Sequence, residues 1–116
     1  MRAVTALLVL TNLPDQDSAE ALARELVKAR LAACVNVLAP CQSFYRWQGA
    51  LETASEVPLL IKTRSDCYAA LEAAIRARHP YELPEIIALP VSAGLPDYLA
   101  WLAAETRHPD DLEDTP

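Results

Sequence analysis

The chain has 116 residues, 53% of them hydrophobic, with 16 acidic side chains against 10 lysines and arginines, for a net charge of −6. That length suits one domain with its own core. The acidic balance, with a pI of about 4.8, argues against a nucleic-acid binder, whose domain is normally basic, and no apolar run approaches the ~20 residues of a membrane span.

The opening MRAVTALLVLTNLPDQD carries one arginine and no small-residue cleavage site. Its apolar run alternates, so it reads as a first strand over 3–11 and not as a signal peptide. Pro14 and Asp15 make a turn, and Asp17 followed by Glu20 resembles a capping box. Ala19, Leu22, Ala23 and Leu26 then recur at helical spacing, which predicts a helix over 17–31. Two segments rich in β-branched and aromatic residues follow, CVNVLAPCQSFYRWQG and ALETASEVPLLIKT, with Gln48-Gly49-Ala50 as the hairpin tip between them. Pro40 and Pro58 interrupt the two arms and predict bulges or edge positions. Ser65 is placed to cap a second helix over 66–78, with Tyr68, Leu71 and Ile75 on one stripe. Pro80 lies just past its end. The run EIIALPV reads as the last strand, and Pro96 opens a third helix, PDYLAWLAAETR.

Strand, helix, strand, strand, helix, strand, helix is an α+β order of the split βαβ, or ferredoxin-like, kind. The domain is taken as residues 1–107, with 108–116 an acidic flexible tail. The central hairpin is long for such a fold. Residues 33–48, if continuous at ~3.3 Å each, span ~50 Å, whereas a compact domain of this size is ~35 Å across. The arm therefore overhangs its own body and carries Phe44, Tyr45 and Trp47 with it. Soluble monomers avoid an exposed apolar strand edge, so the length argument predicts association with other copies. The competing reading is that Pro40 bends the arm back onto its own subunit.

Two glycines exclude the glycine-rich phosphate loops and the nucleophile elbow. The spacings CxxC, HxxxH and HExxH are also missing, and no activated nucleophile or acid–base pair is visible, so the chain is not read as an enzyme. Three widely spaced cysteines, Cys34, Cys41 and Cys67, form no disulfide framework and point to the reducing cytoplasm. Cys34 and Cys41 are seven apart, on opposite faces of a straight strand unless a bulge at Pro40 intervenes. Free cysteine is usually a small core residue, which is the reading for Cys34. Cys41, in the arm, is more accessible.

The stretch HPYELPEIIALP (79–90) is the most specific feature. His79 and Leu83 precede prolines and are pushed to extended backbone, while Pro80 and Pro84 fix their own φ. His79, Tyr81, Glu82 and Glu85 thus project from a pre-ordered scaffold, which loses little entropy when something binds. A stiff connector, with His79 serving the C-terminus of the second helix, explains the same residues equally well. In the arm, Ser43, Tyr45 and Trp47 share one face, and Phe44, Arg46 and Gln48 the other. They form either a mixed interface face or a polar-aromatic cleft between subunits, lined by Arg46, Glu56 or Lys62.

The segments RLAACVNV, SFYRWQG, EVPLLIKT, HPYELPEIIALPV and DYLAWL, in this order, resemble the CutA family of divalent-cation tolerance proteins over most of residues 5–102. The resemblance implies a ferredoxin-like subunit, a homotrimer related in shape to the PII-type signalling proteins, and a role in tolerance of copper or other divalent ions. It makes Cys34 and His79, helped by Glu82 or Glu85, the candidate ligands for copper or zinc. Thr11 and Ala74 stand where some relatives carry further cysteines. The implied inter-subunit cleft takes Tyr45, Arg46, Trp47, Glu56, Lys62, Tyr81 and Trp101. The implied partners are further copies of the chain and divalent cations, with room for another protein, and with neither nucleic acid nor membrane. The alternative function is a PII-like sensor or scaffold binding a small organic anion between subunits through Lys62, Arg46, Tyr45 and Trp47.

Overall fold

The frame of the molecule is one strand of fifteen residues, Ala50–Arg64, which pairs with three others along its length. In the computed structural model residues 4–108 are described. The tail expected at 108–116 lies outside them, His108 excepted, as do the first three residues. In chain order the elements are β1 (Ala6–Leu13), α1 (Gln16–Lys28), β2 (Cys34–Val37), β3 (Cys41–Trp47), β4 (Ala50–Arg64), α2 (Tyr68–Arg78), β5 (Ile87–Pro90) and α3 (Pro96–Glu105). The sheet runs β2-β4-β1-β5, all antiparallel, and β3 extends the β4 pairing outward as the arm. This is the ferredoxin-like arrangement, with the predicted first arm of the hairpin divided into β2 and β3.

The division has a simple cause. Val37 faces Leu59 and Cys41 faces Glu56. Three residues, 38–40, therefore oppose two on β4, which is a one-residue bulge at Pro40. The second bulge expected at Pro58 does not form in its own strand. The β1–β4 register passes unbroken through Asn12↔Pro58. The bulged segment lies opposite Pro58 instead, and the Leu38 N–H donates to the Pro58 carbonyl at 2.9 Å. At the tip, Gln48 and Gly49 both have positive φ, 51° and 83°, as a two-residue hairpin of the favoured twist requires.

Side chains of β4 alternate with period two, and odd positions face the helices. Leu59, Ile61 and Thr63 are fully buried there, against Val9 and Leu13 of β1, Leu22 and Leu26 of α1, and Leu71 and Ile75 of α2. Each such aliphatic side chain contributes about 1.5–3 kcal/mol through burial. Cys67 is wholly buried in the 3-10 turn Ser65–Cys67, and that burial pushes its thiol pKa up.

Two helix ends differ from expectation. The cap of α1 is Asp15, whose carboxylate accepts from the Ser18 N–H at 2.8 Å, so the helix starts before the proposed Asp17 box. That bond holds the Asp15 carboxyl below its usual range. The helix stops at Ala29 because Arg30 turns left-handed (φ 63°), and Leu31 N–H returns to the Leu26 carbonyl at 3.1 Å, closing a Schellman turn. Ser65 does not cap α2. Its hydroxyl accepts from Thr5 N–H at 2.9 Å, and the chain enters α2 through the 3-10 turn. His79 ends α2 in extended backbone, as the following proline demands.

Paired residues on neighbouring strands share a face, so the face away from α1 and α2 can be read from the register. Leu8 and Leu10 meet Lys62 and Leu60 on one side and Leu89 and Ile87 on the other. α3 covers one end of this face: Leu102 is buried, and Leu99 and Leu102 lie near Ala6 and Arg64. Its remainder is open. Ile87 and Leu89 are each 49% exposed. The arm is equally bare, with Phe44 70% and Leu51 72% exposed. The long axis measures 50 Å, against 30 and 26 Å for the others.

Candidate functional site

Beyond the bulge, β3 and the outer half of β4 form one wall of a groove, and the proline corner 80–87 forms the other. The groove encloses about 1110 Å³. Ser43, Tyr45 and Trp47 line it from β3, and Ala54 and Glu56 from β4, the even positions of β4 and the face paired with them; Phe44, of the other face, also reaches it. Tyr81, Glu82, Leu83 and Glu85 line it from the corner, and Asn12 closes the inner end.

His79 holds the corner in place. Its Nε2–H donates to the Asn12 carbonyl at 2.7 Å, and its Nδ1 accepts from the Tyr81 N–H at 3.2 Å. A carbonyl can only accept and a backbone N–H can only donate, so both ring nitrogens are committed in the neutral form. The ring is 9% exposed and lies 4.7 Å from the Tyr81 ring. Tyr81 in turn meets Glu56. Burial, then its hydrogen bond to the Glu56 carboxylate, push the phenol up to about 12. Glu56 is 8% exposed, unusual for a carboxylate. Glu85 reaches Asn12 Nδ2 at 3.5 Å.

The other predicted residues lie elsewhere. Arg46 and Lys62 are not among the groove-lining residues; Lys62 sits six positions from Glu56 along β4. Lys62 Nζ is 3.9 Å from Cys34 Sγ and 6.0 Å from the Tyr98 ring centre. The Trp101 and Tyr98 rings lie 5.4 Å apart, tilted by 37°. These four residues form a second patch, beside α3. The expected single cleft is thus two surfaces within one subunit.

The proposed ligand set does not converge in one subunit either. Cys34 pairs with Lys62, which pairs with Leu8, whereas His79 is anchored four residues along β1 at Asn12. Four residues along a strand and two strands across is roughly 15 Å, against metal–ligand bonds of about 2 Å. The bulge does return Cys34 and Cys41 to one face, since their partners Lys62 and Glu56 are an even number apart. They remain about 20 Å from each other. Among the described residues no three His, Cys, Asp or Glu side chains are grouped to hold a metal ion. His79 has no lone pair to give without breaking a hydrogen bond, so its place in the site is structural. Asn12 went unnoticed in the sequence. A polar residue ending an otherwise apolar strand was the available signal.

The CutA1 divalent ion tolerance protein model matches residues 7–105. The chain belongs to that family. A CutA divalent-cation tolerance protein of Pectobacterium atrosepticum is 45% identical over 102 residues, 88% of this chain and 93% of that one. The solved CutA of Xylella fastidiosa superposes with a TM-score of 0.86 at 48% identity, covering 89% of this chain and 99% of the other. The Thermus thermophilus Cut A1 structure superposes with 0.86 at 41% identity, covering 88% and 99%. CutA relatives are named for divalent-cation tolerance, which agrees with the resemblance read from HPYELPEIIALPV and its companion segments. No helix among the described residues is long and apolar enough to cross a membrane.

Proposed function

We propose that this CutA-family protein works as a homotrimer serving divalent-cation tolerance, and that it responds to ions such as copper or zinc without a preformed chelating site in the subunit. The observation that carries this reading is the uncovered apolar surface. Leu8, Leu10, Leu60, Ile87 and Leu89 share the sheet face opposite α1 and α2, and the arm adds Phe44 and Leu51. A soluble subunit covers such a surface with another copy. Closed cyclic association also shelters the bare edges of the arm. The single subunit offers metal ions only separated donors: Cys34 beside Lys62, and Glu82 and Glu85 at the corner. A shared ion site needs contributions from more than one copy. Three free cysteines, Cys41 exposed among them, suit a reducing cytoplasm.

Sedimentation at micromolar concentration tests the assembly. A trimer is expected, and a monomer ends the reading. Calorimetric titration with Cu²⁺ and Zn²⁺ tests the ion contact. Cys34→Ala should weaken copper binding while His79→Ala should not, beyond its effect on folding. The PII-like alternative is favoured by the size and aromatic walls of the groove, which suit a small effector. Its proposed anionic character is not supported, because Arg46 and Lys62 lie outside the groove and carboxylates line it.

A further inference from the structure

We draw no further inference here: the strongest candidate, the side-chain cluster of Cys34, Lys62, Tyr98 and Trp101 beside α3, lies on the sheet face that neighbouring copies are proposed to cover, and nothing in the structure shows what meets it there.

Discussion

The inner and outer halves of β4 obey one period in different surroundings. From Val57 to Thr63 every odd residue is sealed against β1, α1 and α2. From Ala50 to Ser55 no residue is buried, and the facing strand is equally open. The inner half follows the ordinary rule for a half-buried strand, apolar inward and mixed outward. The outer half keeps the alternation without a core to receive it, and turns its Tyr45–Trp47 face to the groove. Alternation alone therefore marks the sides of a strand. What covers each side depends on where the rest of the chain stops, and here it stops at the bulge.

This contrast can be broken most sharply by truncation. Ile61→Ala removes a fully buried side chain and should cost 2–5 kcal/mol, measured by urea unfolding. Leu51→Ala on the arm should change the stability of the isolated subunit by less than about 0.5 kcal/mol, while lowering assembly in sedimentation. A large unfolding effect at Leu51 in a protein shown to be monomeric would mean that the arm packs on its own body.

His79 sharpens the comparison, because it behaves as core while sitting on the groove side. His79→Ala frees the half-buried Asn12 carbonyl and the Tyr81 N–H, and should cost about 1–3 kcal/mol in the same assay. A loss below about 0.5 kcal/mol would leave the corner held by its prolines alone.

Tyr81 gives the groove a pH signature. Its folded pKa, about 12, lies above the ordinary value near 10. The stability this adds is complete below pH 10 and disappears as pH rises from there through about 12. Absorbance titration should show a late-ionising tyrosine that Tyr81→Phe removes, and Tyr81→Phe should flatten the loss of stability over that range. The burial of Tyr68 and its bond to Glu72 raise that phenol as well, so the assignment rests on the variant.

The smallest effect belongs to the inner half. Arg30 holds a left-handed conformation that costs a residue with a side chain about 1 kcal/mol. Arg30→Gly should raise the unfolding free energy by about 0.5–1 kcal/mol. Its 3.9 Å pair with Glu105 is half exposed and offsets little of this.

Much of the fold was legible because it depends on neighbours in the chain. The helical spacing of Leu22 and Leu26, the hairpin tip at Gln48-Gly49-Ala50, the break at Pro40 and the stop before Pro80 are local consequences of side-chain shape and φ restriction. The misread caps are local too, but several candidates competed. Asp15 won over Asp17 because its carboxylate reaches Ser18, and Ser65 was drawn away by Thr5, sixty residues earlier. For the site, the proline corner and the Tyr45–Trp47 face of the arm that the sequence singled out line one groove. Lys62 and Trp101, which the sequence joined to them in a cleft between subunits, lie in a separate patch of the single subunit, and strand pairing holds Cys34 and His79 apart within that subunit.

By itself, then, the sequence determined the order of elements, the alternating faces, the rigid proline corner and the need for an overhanging arm. These follow from periodicity and backbone restriction within a few residues. Only the tertiary structure decided that His79 spends both nitrogens on Asn12 and Tyr81, that Glu56 is buried against the Tyr81 phenol, and that within the subunit the groove and the Lys62–Tyr98 patch are separate. Those facts rest on distances between residues far apart in the chain, and such distances are set by strand register, which no local pattern encodes.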